Sequence, residues 1–104
     1  MLISILSLVQ RQVKDEPVVV VQSDLLNKIH PSAIVCPITT NVQPQANILR
    51  VHLIKGEANL KEDCDILVDQ LRAIDNKRLI KKTGTLNATI IGQLKENIRI
   101  VLDL

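Results

Sequence analysis

There is not one Phe, Tyr or Trp in this chain. A protein that grips single strands by stacking bases on aromatic rings is therefore excluded, leaving His or Arg for that task. Glycine is scarce as well: three residues, none near another. No Gly-rich phosphate loop and no nucleophile elbow can be built from them, which argues against nucleotide hydrolysis and serine hydrolase chemistry. The only ligand-type sulfur and imidazole groups are Cys36, Cys64, His30 and His52. They lack the close spacings of zinc sites, so structural or surface roles are expected for all four. Two widely separated cysteines suit a reduced intracellular chain with packed thiols. The formal charge of +2 is too small to announce a polyanion partner by itself. No apolar run approaches the roughly 20 residues that a membrane-spanning helix needs. Met1–Val9 comes nearest to a targeting segment, but no basic residue precedes it and no cleavage site follows, so it does not read as a signal peptide.

What is present is aliphatic. Hydrophobic residues make up 46% of 104 residues, enough for the core of one domain, and Val, Ile and Leu supply nearly all of it. The chain is organised around Pro17–Thr40, where two β-branched runs, Val18–Val21 and Ala33–Ile38, have the length and composition of buried strands. Pro17 suits a strand's first position, where a missing N–H is tolerated. Ser23 or Asp24 can cap a single helical turn over Leu25–Lys28, which Pro31 ends. Asn41–Asn47 reads as a loop. Ile48–Ile54 alternates as a half-buried strand with Arg50 and His52 on one face. Lys55, Gly56 and Glu57 form a turn. Asp65–Leu71 reads as a strand, Asp75–Arg78 as a turn or short helix, and Ile80–Leu86 as a short strand. Asn87 caps a helix to about Leu102, with Ile90, Ile91, Leu94, Ile98, Val101 and Leu102 near a 3.6-residue period. The expected body is strand-rich and closed by a C-terminal helix. Met1–Glu16 resists assignment: an apolar run meets RQVKDE with no turn residue between, which leaves edge strand, frayed helix and unpaired tail open.

One polar set stands out: Thr39, Thr40, Asp69, Gln70, Arg72 and Asp75. Thr39 lies at one expected strand end and Asp69–Arg72 at another, and strand ends are where rigid scaffolds present reactive groups. Such residues ordinarily serve as caps and turn bonds. The basic residues Lys77, Arg78, Lys81 and Lys82 fit a solvated face or a track for a phosphate backbone equally well.

Four ordered blocks, PVVVVQSDLLN, AIVCPIT, ILVDQLRAID and KRLIKKTGTL, followed by a helix, resemble the MazF/PemK toxins of type II toxin–antitoxin systems. The resemblance covers Pro17 to the C-terminus, leaving 1–16 as an atypical segment before a toxin domain over 17–104. It implies an α+β, mainly β fold: a small, partly open β-barrel with a C-terminal helix, shared with the CcdB gyrase poisons. It also implies a homodimer, and a cofactor-free, metal-independent endoribonuclease that cuts single-stranded mRNA in the bacterial cytoplasm. The implied partner is a small MazE/PemI-like antitoxin whose acidic tail fills the RNA groove; operator DNA is implied only for the toxin–antitoxin complex, and no membrane. On this resemblance Thr39 contacts the scissile phosphate and Asp69 is the base. Thr40, Gln70, Arg72, Lys77 and Arg78 bind substrate, though Arg72 has a second reading, holding the site by pairing with a carboxylate.

The resemblance breaks at the opening. Members of the family carry a loop of the type G-S-E-x-x-G-x-R-P, whose arginine is the main catalytic cation. Here Glu16 precedes Pro17, and a carboxylate there repels a phosphate. Shifting the reading by one base offers an explanation: MLISILSLVQRQV can then decode as A-D-L-N-P-V-I-G-S-E-T-G, and the codon spanning Asp15 and Glu16 can only be Arg or stop. The expectation is that Met1–Glu16 is out of frame and that the chain as written is a poor ribonuclease. Without a first strand, the edge beside Val18–Val21 would be unpaired unless Met1–Val9 fills it by apolar character alone. Two other readings stand beside this one: a non-catalytic protein that captures antitoxin or RNA, and, ranked lowest, a gyrase-directed toxin.

Overall fold

The computed structural model describes residues 4–10, 13–21, 31–75 and 79–104. Seven strands and one helix organise them: β1 (Ser4–Gln10), β2 (Val13–Val20), β3 (Ser32–Thr39), β4 (Arg50–Leu53), β5 (Cys64–Leu67), β6 (Arg72–Asp75), β7 (Leu79–Thr85) and α1 (Ala88–Leu102). The sheet order is β4-β5-β3-β2-β1-β7, with β6 also on β3. This is the strand-rich, helix-closed body expected, with the sheet left open. The expected turn over Leu25–Lys28 lies outside the described residues.

Strand β3 is the hub. Its middle pairs with β2 (Val18↔Pro37, Val19↔Cys36, Val20↔Val35), its first half with β6, and its last residues with β5 (Ile38↔Ile66, Thr39↔Asp65). Val35 faces both Val20 and Arg72, so β2 and β6 take opposite edges. The Val21 N–H donates to the Ile34 carbonyl, so Ile34 and Cys36 direct their backbone groups toward β2. Val35 and Pro37 therefore direct theirs to the other edge. There the partner changes from β6 to β5 across a 3-10 turn, Val68–Gln70. Pro37 thus has no N–H to lose at the place where the ladder is interrupted.

That turn corrects two expectations. Asp65–Leu71 is not one strand: regular pairing stops at Leu67, and a separate strand begins at Arg72. Asp75 is the last residue of that strand rather than the start of a turn; residues 76–78 are outside the described set. The opening takes one of the courses left open for it. The edge beside β2 is filled, because β1 pairs antiparallel with both β2 and β7. The register shifts on both of its edges, the mark of bulges.

Alternation buries both faces of the sheet at Val18–Val20 of β2 and at Val35 and Cys36 of β3 opposite them. One face joins Val19, Val21, Cys36, Ile38, Val51, Leu53, Ile66 and Leu94 of the helix into the main core. The other holds Val18, Val20, Ala33, Val35 and Ile74. The helix obeys its sequence signals: the Asn87 side chain accepts from the Ile90 N–H at 2.9 Å, and the end is closed by Asp103 in a left-handed conformation (φ 57°). Asn87 is itself held by the Glu57 carboxylate, which accepts from its N–H and Nδ2 at 3.0 and 3.1 Å. Glu57 belongs to a second 3-10 turn, Glu57–Asn59, that rests on β7. Gly84 permits this contact, since a Cβ there would lie 2.4 Å from the Ala58 carbonyl oxygen. No described helix is long and apolar enough to cross a membrane.

Candidate functional site: a cleft at the interrupted ladder

The break between β5 and β6 leaves a cleft of about 500 Å³, lined by Pro17, Pro37, Ile38, Thr39, Thr40, Leu67, Gln70 and Arg72. Four residues singled out in the sequence, Thr39, Thr40, Gln70 and Arg72, therefore share one cavity. Pro17, which follows Glu16, stands in the same wall. Thr39 ends β3, and its Oγ1 accepts from the Asn41 N–H at 3.1 Å. The turn bond read from the sequence is thus present, and it uses only an acceptor lone pair. The hydroxyl proton stays available to donate. Arg72 is exposed and pairs with no carboxylate among the described residues, so its guanidinium is available to an anion.

Other expected residues fall elsewhere. Asp69 is exposed in the 3-10 turn, one position before Gln70, and is not among the cleft-lining residues. Asp75 is exposed at the end of β6. Lys77 and Arg78 lie outside the described residues. Among the described residues no three His, Cys, Asp or Glu side chains converge as for a metal ion. Both thiols are buried and free. Burial pushes Cys36 up to about 11. Cys64 is raised by burial and then by the charges of Glu62, Asp63 and Asp65. Protonated thiols in a core are poor nucleophiles.

The sequence reading missed a polar cluster on the same sheet face as Thr39. The registers Thr39↔Asp65 and His52↔Asp65 place the three residues in one row across β3, β5 and β4. Directly opposed residues point to the same face. Asp65 is fully buried. Its Oδ1 meets His52 Nδ1 at 2.6 Å, and its Oδ2 accepts from Arg50 Nη1 at 3.1 Å and the Gln43 N–H at 2.8 Å. Burial alone would raise this carboxyl, but those hydrogen bonds and the His52 charge outweigh it and hold it below the ordinary carboxylate value. The same Arg50 Nη1 donates to the Asn41 carbonyl at 2.7 Å. His52 Nε2 is buried and has no partner among the described residues. Alternation did put Arg50 and His52 together; the register that brings Asp65 opposite them is not visible in one strand's sequence.

Comparison with known proteins agrees with this architecture. Residues 5–102 match the family described as PemK-like, MazF-like toxin of type II toxin-antitoxin system. Among curated proteins the chain is 33% identical over 88 residues to "Endoribonuclease EndoA" of Bacillus subtilis, covering 85% of this chain and 76% of that one. It is likewise 33% identical over 88 residues to "Endoribonuclease MazF" of Staphylococcus epidermidis, covering 85% and 73%. Among solved structures it is similar in fold to Mycobacterium tuberculosis toxin MazF-mt6 (TM-score 0.80, 24% identity, 100% and 98% covered). A MazE-MazF structure from Deinococcus radiodurans is similar too (TM-score 0.81, 16% identity, 97% and 92% covered). The strand order, the closing helix and these relatives lead to one assignment: the chain belongs to the PemK-like, MazF-like toxins of type II toxin-antitoxin systems.

Proposed function

We propose that this chain is the toxin of such a pair, descended from an endoribonuclease that cuts single-stranded mRNA, acts as a homodimer in the bacterial cytoplasm and is neutralised by a MazE/PemI-like antitoxin. Operator DNA is a ligand of the toxin–antitoxin complex only. The observation that carries the reading is the cleft that gathers Thr39, Thr40, Gln70 and Arg72. It offers a hydroxyl donor, an amide and a guanidinium at one opening, which suits a phosphodiester flanked by an unpaired base.

In the proposed reaction the ribose 2′-hydroxyl attacks the adjacent phosphorus. The bond to the 5′-oxygen breaks and that oxygen takes a proton from water, leaving a cyclic phosphate and a free 5′-hydroxyl. Thr39 donates to a phosphate oxygen as charge builds, and Arg72 attracts the phosphate. Asp69, next to Gln70, is the proposed base that takes the 2′ proton. Lys77 and Arg78 are proposed to track the RNA backbone.

Glu16 stands where relatives' loops are expected to supply a cation, and the loss of one preorganised charge partner costs ~100- to 1000-fold in rate. The proposal therefore includes impairment, and an out-of-frame origin for residues 1–16. Incubating the purified chain with single-stranded RNA without added metal tests the function. Fragments ending in cyclic phosphate at defined sequences are expected, at low rate. Antitoxin capture with intact RNA would establish the non-catalytic reading instead, and inhibited DNA supercoiling with intact RNA the gyrase-directed one. The nucleotide sequence of the gene tests the origin: a shifted frame running into stops or unrelated residues overturns it.

A further inference from the structure

We infer that Asp65 is a positioning residue for Thr39, acting through Arg50 and Asn41; the inference rests on the functional reading above. The path is continuous. Asp65 Oδ2 accepts from Arg50 Nη1, Arg50 Nη1 donates to the Asn41 carbonyl, and the Asn41 N–H donates to Thr39 Oγ1. A second strand of the same network runs from Asp65 Oδ2 to the Gln43 N–H. One buried carboxylate therefore holds the loop after β3 at two backbone points. By occupying the Thr39 oxygen as an acceptor, the loop turns the hydroxyl proton outward as a donor. Asp65 stands directly opposite Thr39 in the sheet, so the ring of contacts closes on a rigid ladder.

The arrangement is costly to build for packing alone. A fully buried carboxylate must be compensated completely or it destabilises the core. A hydrophobic residue at this position would pack without that demand. Here the compensation comes from the loop backbone and from two β4 side chains. Those are the groups whose placement decides where the Thr39 hydroxyl points.

Two measurements on the full-length chain test this. The first is amide hydrogen exchange in Asp65→Asn. Neutralising the carboxylate weakens charge-assisted bonds. Exchange at Asn41 and Gln43 is expected to accelerate at least ~10-fold, and by clearly more than at Val51 and Ile66 in the core, whose amides report only the change in global stability. In Arg50→Met, which removes the one nitrogen that donates to both Asp65 and the Asn41 carbonyl, Asn41 is expected to accelerate more than Gln43. Unchanged loop exchange, or acceleration shared equally by core amides, overturns the inference. The second is a double-mutant cycle on affinity for an oligoribonucleotide made non-cleavable by a 2′-deoxy sugar at the scissile position. Asp65→Asn is expected to weaken binding about 10-fold in the parent chain and under about 2-fold in Thr39→Val, because the effect travels through that hydroxyl. Additive losses overturn it. If the parent chain neither binds nor cuts RNA, the functional reading fails. The inference that Asp65 positions a catalytic hydroxyl then fails with it, while loop exchange still decides whether Asp65 orders the turn.

Discussion

Thr39 does two jobs with one oxygen. It closes a turn with Asn41 and keeps a proton for the cleft. Thr39→Ala is expected to lower whatever cleavage the chain shows by ~100-fold while native circular dichroism and a cooperative thermal transition persist. Initial rates on a labelled single-stranded RNA check this, and an unchanged rate removes Thr39 from the site. Asp65 gives a pH prediction. Its folded-state pKa is depressed, with burial opposed by bonds from Gln43, His52 and Arg50. The carboxylate's contribution is therefore present above the ordinary Asp range and lost as pH falls through the folded value. Urea midpoints of the parent and Asp65→Asn are expected to differ at neutral pH and to converge on acidification. A gap that stays constant down to strongly acidic pH contradicts the assignment.

Among the elements, the helix was the most legible. Its cap, period and end all stand in the sequence, and Ala88–Leu102 follows them. Strand β3 and the second half of β2 were legible from β-branched runs, but β2 begins at Val13 and Pro17 lies inside it rather than opening it. What could not be read was the interruption between β5 and β6. Val68 is buried and continues the apolar pattern of Ile66, yet its backbone turns. Local composition carries no sign of a change of partner on β3. The cleft owes its existence to that interruption, so four of its residues were named in advance while its cause was not. Asp65 was missed for a related reason: a buried charge looks like any strand-start polar residue until cross-strand register is known. The turn at Glu57–Asn59 yields a prediction at this scale. With only 2.4 Å available between a Cβ at position 84 and the Ala58 carbonyl oxygen, Gly84→Ala must displace backbone. A loss of ~1–3 kcal/mol is expected in chemical denaturation. An unshifted midpoint would show that the turn yields without cost.

For the molecule as a whole, fold and chemistry draw on the first sixteen residues differently. β1 completes the sheet between β2 and β7, whereas on the proposed reading Glu16 stands in place of the family loop's cation. Restoring it is a direct experiment. Glu16→Arg is expected to raise the RNA cleavage rate by ~10-fold or more, read on the same labelled substrate. No gain in a protein shown to be folded would count against a native path for the chain just before Pro17.

The joining of β1 has a wider consequence. Its ladder is made of main-chain amides, which every residue but proline supplies, so the pairing itself names no particular side chain, bulges included. On the proposed reading, reactivity has no such latitude, because it depends on which side chain stands at one position. On that reading, a change confined to the first codons would leave the shell assembled while costing the ability to cut.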